Sequence, residues 1–342
     1  MYNCDKLKTF VTNVMMDAGL SQEDSARFAD SLLYAQMRGI GSHGLTRLAT
    51  YYRRAKEGLV DAKEQGKVLT RMPSLILVDG SNGMGVTTAS RAMEMCIEGA
   101  KQTGVCFAAV KGGNHFGCAS YFTELAAKEG MLGVAMANGP VAMAPIGGKD
   151  PVLGTNPLAI AIPAAGRDPF VLDMATSVVA RGKVALAAKE GRQIPLGWGI
   201  DADGQPTTDP NAVKCVLPFG GPKGYGIALM IETMCSCLSG ALNGQTMGSF
   251  YDFSGKVQNS GFFLGAINVQ AIQPGFMEET AALFASVKAS PKAEGCQEIF
   301  IPGEIERRNY LKAEVEGVSL SNAVYTELET LANNCGIPFD IS

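Results

Sequence analysis

Between Ser74 and Leu172 the chain alternates short apolar runs with glycine turns and helix-patterned segments, and this alternation restricts the fold more than any other feature. Ser74–Val78, Val105–Val110, Leu132–Ala137, Leu158–Ile162 and Phe170–Leu172 read as short buried strands. Thr88–Thr103 and Ser120–Lys128 lie between them with helical spacing. A further β run near Phe262–Val269 and a helix at Phe276–Val287 follow. The expected class is α/β in the mixed α+β sense. With 41 glycines where average usage of about 7% would give roughly 24, many tight turns and close backbone approaches are expected.

The ends of the chain read differently. Leu7, Phe10, Val11, Val14 and Met15 recur at helical spacing, Gly19 ends that helix, and Ser21 with Glu23 and Asp24 opens a second one running to about Met37. Ser42 is placed as the cap of a third helix, His43 to Lys56. On it His43, Arg47 and Tyr51 would share one face at i, i+4 and i+8. A chain of 342 residues exceeds the roughly 100–200 residues of one ordinary domain. The expected division is a helical segment 1–70, packing with 290–342, and an α/β body 71–289.

Composition removes several function classes. A net charge of −4 with scattered Lys and Arg offers no stripe for nucleic acid. The most apolar stretch, Ile227–Leu242, contains Glu232 and falls short of the ~20 residues that span a bilayer. The first residues lack the basic end and apolar run of a secretory signal, so a cytoplasmic protein is expected. Its nine cysteines then read as reduced thiols.

Only two histidines occur, in Ser42-His43-Gly44 and Asn114-His115-Phe116-Gly117. Histidine is the side chain that exchanges protons near neutrality, so these two positions are the shortlist for acid–base chemistry. His115 follows a strand through Lys111-Gly112-Gly113, where loops at strand ends build sites; a capping or core histidine is the other reading. Arg47, one turn from His43, could hold a carboxylate in a bidentate fork or simply belong to a solvated face. Gly80-Ser81-Asn82-Gly83-Met84-Gly85 imitates a dinucleotide turn, but its order is G-x-x-G-x-G rather than G-x-G-x-x-G, and a plain strand-to-helix turn is expected. Gly220–Gly226 could place backbone N–H groups and Lys223 on an anion. It is no Walker A loop, because Gly224 and Tyr225 follow the lysine. A standard metal ligand set is absent from the pattern. Cys118 beside His115 leaves a cysteine hydrolase conceivable.

Five motifs in order resemble one family. Arg38-Gly39-Ile40-Gly41-Ser42-His43-Gly44, Gly113-Asn114-His115-Phe116-Gly117, Gly154-Thr155-Asn156-Pro157-Leu158, Asp173-Met174-Ala175-Thr176-Ser177 and Gly221-Pro222-Lys223-Gly224-Tyr225-Gly226 are similar to those of the malate/L-lactate dehydrogenase family. That family also holds ureidoglycolate, sulfolactate and diketogulonate enzymes and cyclic imino-acid reductases. The resemblance implies a homodimer that binds NAD or NADP in a non-Rossmann domain with a mixed sheet. It implies His115 as proton donor and acceptor, with Ser42, His43 and Arg47 lining the substrate and nicotinamide pocket. Gly139, Asp173, Met174, Ala175 and Lys223, together with His43, would contact the cofactor. Cys118 departs from the smaller or hydroxyl residue common at that position. The expected reaction is hydride exchange at C2 of a small 2-hydroxy or 2-oxo acid. A cyclic imino-acid reductase and a non-catalytic cofactor-binding protein are the alternatives.

Overall fold

A computed structural model describes all 342 residues. Side-chain caps set the first two helices: Asn3 accepts the Lys6 N–H at 2.9 Å to open α1 (Cys4–Asp17), and Ser21 accepts that of Asp24 at 3.1 Å to open α2 (Gln22–Met37). The third helix, α3, spans only Leu48–Lys56. Then come β1 (Lys67–Arg71), β2 (Leu75–Asp79), α4 (Gly85–Thr103), β3 (Val105–Gly113), α5 (Ala119–Lys128), β4 (Leu132–Ala137), β5 (Leu158–Ile162) and β6 (Phe170–Met174). After α6 (Arg181–Lys189), the Gly-Pro-rich stretch forms a small hairpin, β7 (Gly199–Ile200) with β8 (Cys215–Val216). The segment α7 (Pro222–Glu232) runs on as a π turn, Thr233–Cys237, before β9 (Ser260–Ile267). Four helices finish the chain: α8 (Val269–Ile272), α9 (Phe276–Lys288), α10 (Glu304–Glu316) and α11 (Asn322–Cys335).

The main sheet has the order β1-β2-β3-β9-β4-β5-β6, with β2 and β3 parallel and every other pair antiparallel. This is the mixed sheet expected. Ala89, Met93 and Cys96 of α4 and Phe122 and Ala126 of α5 pack on Val110, Ala135, Ala159 and Leu264. Ile231 and Cys235, from α7 and its π turn, cover Ala109, Met136 and Phe263 on the opposite face. Central strands buried on both sides need no polar alternation, which is why β9 reads as a continuous apolar run.

A second core joins the two ends of the chain. Leu7, Phe10 and Val14 of α1, Phe28 and Leu32 of α2, and Leu48 and Tyr51 of α3 pack with Ala313, Leu328, Leu331 and Ile341. Tyr2 and Val318 exchange backbone hydrogen bonds at 2.8 and 3.0 Å. The residue boundary expected at 70/71 falls inside β1, which belongs to the sheet.

Strand pairing brings the site together. Gly113 lies opposite Ser260, Ala137 opposite Phe262, Met136 opposite Leu158, and Leu158 opposite Met174. The C-terminal ends of β3, β4 and β6 and the start of β9 therefore share one edge of the sheet, and the segments leaving it surround a single cleft.

Candidate active site

The His115 loop is fixed from below. Buried Asn114 donates through Nδ2 to Asn82 O at 3.1 Å, Asn82 Oδ1 at 3.0 Å and Gly83 O at 2.9 Å. Directly beside it, a Cβ on Gly85 would stand 2.0 Å from Asn114 O. The glycine-rich turn 80–85 thus lets α4 press against the histidine loop, in keeping with a strand-to-helix turn. The His115 N–H donates to Gln258 Oε1 at 3.0 Å. Its Nδ1 is hydrogen-bonded to the Tyr51 hydroxyl, which also lies 3.5 Å from His115 O. Phe250 stacks on the imidazole with centroids 4.5 Å apart, and the His43 ring lies nearly parallel at 5.8 Å.

The expected helix through His43 does not form. Gly41–His43 and Leu45–Arg47 are two 3-10 turns, and α3 begins only at Leu48. Gly44, at φ −93° and ψ −143°, breaks the run between them. It sits against α2, where a Cβ would meet Gln36 Oε1 at 2.5 Å, and that oxygen accepts the Leu45 N–H at 3.2 Å. Ser42 caps nothing; its Oγ pairs with His43 Nδ1 at 3.0 Å. The Arg47 Nε donates to Ser42 O at 2.6 Å, and its Nη1 donates to the Tyr251 hydroxyl. Ser42, His43 and Arg47 therefore reach the site by way of turns, and of the residues expected on one helix face only Tyr51 stands on α3.

Electrostatics follow from burial. Desolvation holds His115 well below the ordinary histidine value, and the positive fields of His43, Arg47 and Arg54 push the same way. Burial also lowers His43; Asp173 opposes this and Arg47 adds to it. Burial raises the Tyr51 phenol, so it keeps its proton.

The two histidines open onto a cavity of about 980 Å³, at the upper end of ordinary ligand sites, with Tyr51 buried behind His115. Ser42, His43, Arg47 and His115 line one part of it, and Gly139, Asp173, Met174 and Ala175 another. Lys223 is not in the lining; it stands exposed in the first turn of α7. Asp173 Oδ2 accepts the Ser120 N–H at 2.8 Å, capping α5, whose own preceding residue Cys118 supplies no side-chain cap. The Cys118 Sγ faces the same carboxylate at 3.2 Å, and burial and that charge raise its thiol well above the usual value. A protonated thiol held by Asp173 is no nucleophile for His115 to activate, so the cysteine-hydrolase reading falls.

Gly139 donates its N–H to Asn156 Oδ1 at 3.1 Å, and a Cβ there would meet no atom within 4 Å. That open side is where a ligand can approach the backbone. Behind it the buried Glu232 carboxylate takes hydrogen bonds from Asn138 at 3.0 Å, Asn156 at 2.8 Å and Gly244 N–H at 2.9 Å. One acidic group in the most apolar segment thereby ties the turns after β4 and before β5 together. Nowhere do three His, Cys, Asp or Glu side chains gather as metal ligands would.

Several lining residues carried no signal in the sequence. Phe250, Tyr251 and Gln258 come from the irregular 243–259 stretch and meet His115 and Arg47 only through long-range folding. Gly303, Ile305 and Glu306 close another wall.

Comparison with known proteins places the chain in one family. The family model described as malate/L-lactate dehydrogenase matches residues 2–329. The chain is 39% identical to the L-sulfolactate dehydrogenase of Methanocaldococcus jannaschii over 334 residues, 96% of each protein. It is 37% identical over 335 residues to the (2R)-3-sulfolactate dehydrogenase (NADP(+)) of Chromohalobacter salexigens, covering 97% of this chain and 98% of that one. With the ureidoglycolate dehydrogenase (NAD(+)) of Escherichia coli K12 it shares 33% over 326 residues, 95% and 93% of the two. Among solved structures, the M. jannaschii sulfolactate dehydrogenase superposes with a TM-score of 0.92 at 37% identity over 98% of both chains. The delta1-piperideine-2-carboxylate reductase of Pseudomonas syringae gives 0.87 at 28%, over 96% of this chain and 99% of that one. By sequence across nearly its whole length and by fold, the chain belongs to the malate/L-lactate dehydrogenase family, oxidoreductases acting on the CH–OH group of hydroxy acids.

Proposed function

We propose that the chain interconverts a small 2-hydroxy acid and its 2-oxo acid with NAD or NADP, using His115 as the acid and base. The observation that carries this reading is the convergence of His115, His43 and Arg47 on one cavity, with buried Tyr51 hydrogen-bonded to His115 Nδ1 from behind. Bound nicotinamide supplies the carbon that takes or returns hydride at C2 of the substrate.

The residues present suit that partner. Asp173 spends Oδ2 on Ser120 and Cys118 and keeps Oδ1 for a ribose hydroxyl. Gly139 leaves room for a ligand against its backbone, and Met174 and Ala175 continue that wall. The proposed contact of Lys223 with cofactor charge rests on the motif resemblance alone.

Proton transfer falls to Nε2 of His115. With Nδ1–H donating to Tyr51 Oη and the Tyr51 O–H donating to His115 O, both buried groups are satisfied and Nε2 carries the lone pair. A depressed pKa keeps it neutral near pH 7, ready to take the C2 hydroxyl proton. In reduction, a substrate carboxylate seated on Arg47 cancels part of the positive field that now disfavours imidazolium. Substrate binding itself thereby raises the proton affinity of His115. His43 and Ser42 form the wall beside the reacting carbon.

We also propose that the enzyme is a homodimer, which the exposed Leu229, Met230 and Leu238 of the α7 region support. Nine free thiols accord with a reducing cytoplasm. No helix is long and apolar enough to cross a membrane. The test of function is a panel of pyruvate, oxaloacetate, an oxalurate-type acid and a cyclic imine, each with NADH and NADPH, followed by cofactor absorbance. Turnover of a 2-oxo acid above the imine supports the proposal. Turnover of the imine alone favours a reductase like that of P. syringae, and cofactor binding without any turnover favours a non-catalytic protein.

A further inference from the structure

Resting on the reading of Arg47 as the carboxylate anchor, we infer that Tyr251 is the second arm of that subsite, donating its phenolic hydrogen to the substrate carboxylate beside the guanidinium. Arg47 spends Nε on Ser42 O and Nη1 on the Tyr251 oxygen, while Nη2 makes no hydrogen bond within the chain. A phenol that accepts from a guanidinium still has its own O–H to give, and the neighbouring charge makes it a better donor. Nη2 and the phenolic O–H are then two free donors, one charged and one neutral, for the two oxygens of one carboxylate.

The backbone around Tyr251 is held firmly, while its side chain is held only through Phe250 and Arg47. Arg54, fully buried, donates Nη1 to the carbonyls of Ser249 at 3.4 Å, Phe250 at 3.2 Å and Asp252 at 2.8 Å. Phe250 is wedged between His115 and Tyr51, with centroids at 4.5 and 4.8 Å. On the other side the Arg53 guanidinium lies 3.8 Å from the centre of the Phe253 ring. Between these anchors Tyr251 is 58% exposed, lines the cavity, and spends its hydroxyl on Arg47. A large aromatic left in solvent on a clamped strap, with its polar end on a substrate-facing arginine, has the placement of a binding group. Its ring meets Phe250 edge-on at 5.2 Å and the Arg47 guanidinium at 5.4 Å, contacts that aim the hydroxyl and leave more than half of the side chain open to the cavity.

The test compares Tyr251→Phe, Arg47→Met and the double variant, with pyruvate and oxaloacetate as substrates. Oxamate, a carboxylate that is not reduced, is titrated into the protein–NADH complex as a readout free of turnover. Tyr251→Phe should raise the KM for oxo acid and the Kd for oxamate about tenfold, the usual size of one lost hydrogen bond to a charged group. The loss should fall mainly on KM, with the KM for reduced cofactor moving less than about twofold. The double variant should be weaker than Arg47→Met by clearly less than that tenfold, because the two donors share one carboxylate. Unchanged KM and Kd in Tyr251→Phe, with Arg47→Met impaired, would overturn the role of Tyr251 alone. Unchanged values in Arg47→Met would instead overturn the carboxylate subsite itself.

Discussion

Replacing Tyr51 by Phe removes one oxygen from the centre of the site and nothing else. The ring stays where it is, because Phe28 and Phe250 grip it edge-on at 4.9 and 4.8 Å. What is lost is the partner of His115 Nδ1. A buried donor left unpaired costs about 1–3 kcal/mol, so the variant should fold with reduced stability. Hydrogen bonds to charged groups are roughly twice as strong as neutral ones, so imidazolium loses about 1 kcal/mol more than imidazole does. Proton binding to His115 therefore weakens further, and the acid limb of kcat/KM for hydroxy-acid oxidation moves to lower pH, by less than one pH unit. The plateau should also fall about tenfold, since a ring without its orienting bond spends less time aimed at the substrate. The assay is kcat/KM against pH for wild type and variant, with far-UV circular dichroism to confirm the fold. An unmoved limb, or one displaced to higher pH, would refute the assignment of Tyr51 as the group that orients His115 and stabilises its cation.

The two histidines also predict an acid sensitivity. Both have folded values below the unfolded ~6.5, so below that pH the unfolded chain binds more protons. Their contribution is complete above pH 6.5 and is lost as pH falls towards the depressed values, at up to about 1.4 kcal/mol per pH unit for each histidine. Melting curves between pH 7.5 and 5.5 should show this fall, with a shallower slope in His115→Asn; equal slopes would count against a buried neutral His115. At the glycines two opposite outcomes are expected. Gly85→Ala forces a methyl into the Asn114 and His115 carbonyls and should cost about 1–3 kcal/mol in urea denaturation, with turnover impaired. Gly139→Ala meets no atom and should keep its stability while raising the KM for cofactor.

Much of the sheet was legible because its strands are buried on both faces. Val105–Val110, Leu132–Ala137 and Leu158–Ile162 announce themselves as apolar runs, and the structure extends or keeps each of them. β1 carries no such signal, because all five of its residues are exposed and no buried face imposes an alternation. The insertion of β9 between β3 and β4 is a long-range pairing that no local pattern encodes. The His43–Arg47 segment shows how spacing can find neighbours for the wrong reason. An i, i+4 count joined the two on a helix, while Gly44, forced into close contact with Gln36, splits that helix into turns that bring them together by another path. Phe250, Gln258 and Tyr251 were invisible for the reason β9 was: their partners lie more than 100 residues away in the chain.

The central claim is that His115 moves the proton. Its most direct test is His115→Asn in a single-turnover reaction, with enzyme in excess over reduced cofactor and the 2-oxo acid selected by the substrate panel, alongside a fluorescence titration of the cofactor. The account predicts cofactor binding close to wild type and a rate lower by roughly 10² or more, the usual contribution of a positioned acid–base group. A single-turnover rate near that of the wild type, with cofactor bound as tightly, would contradict it.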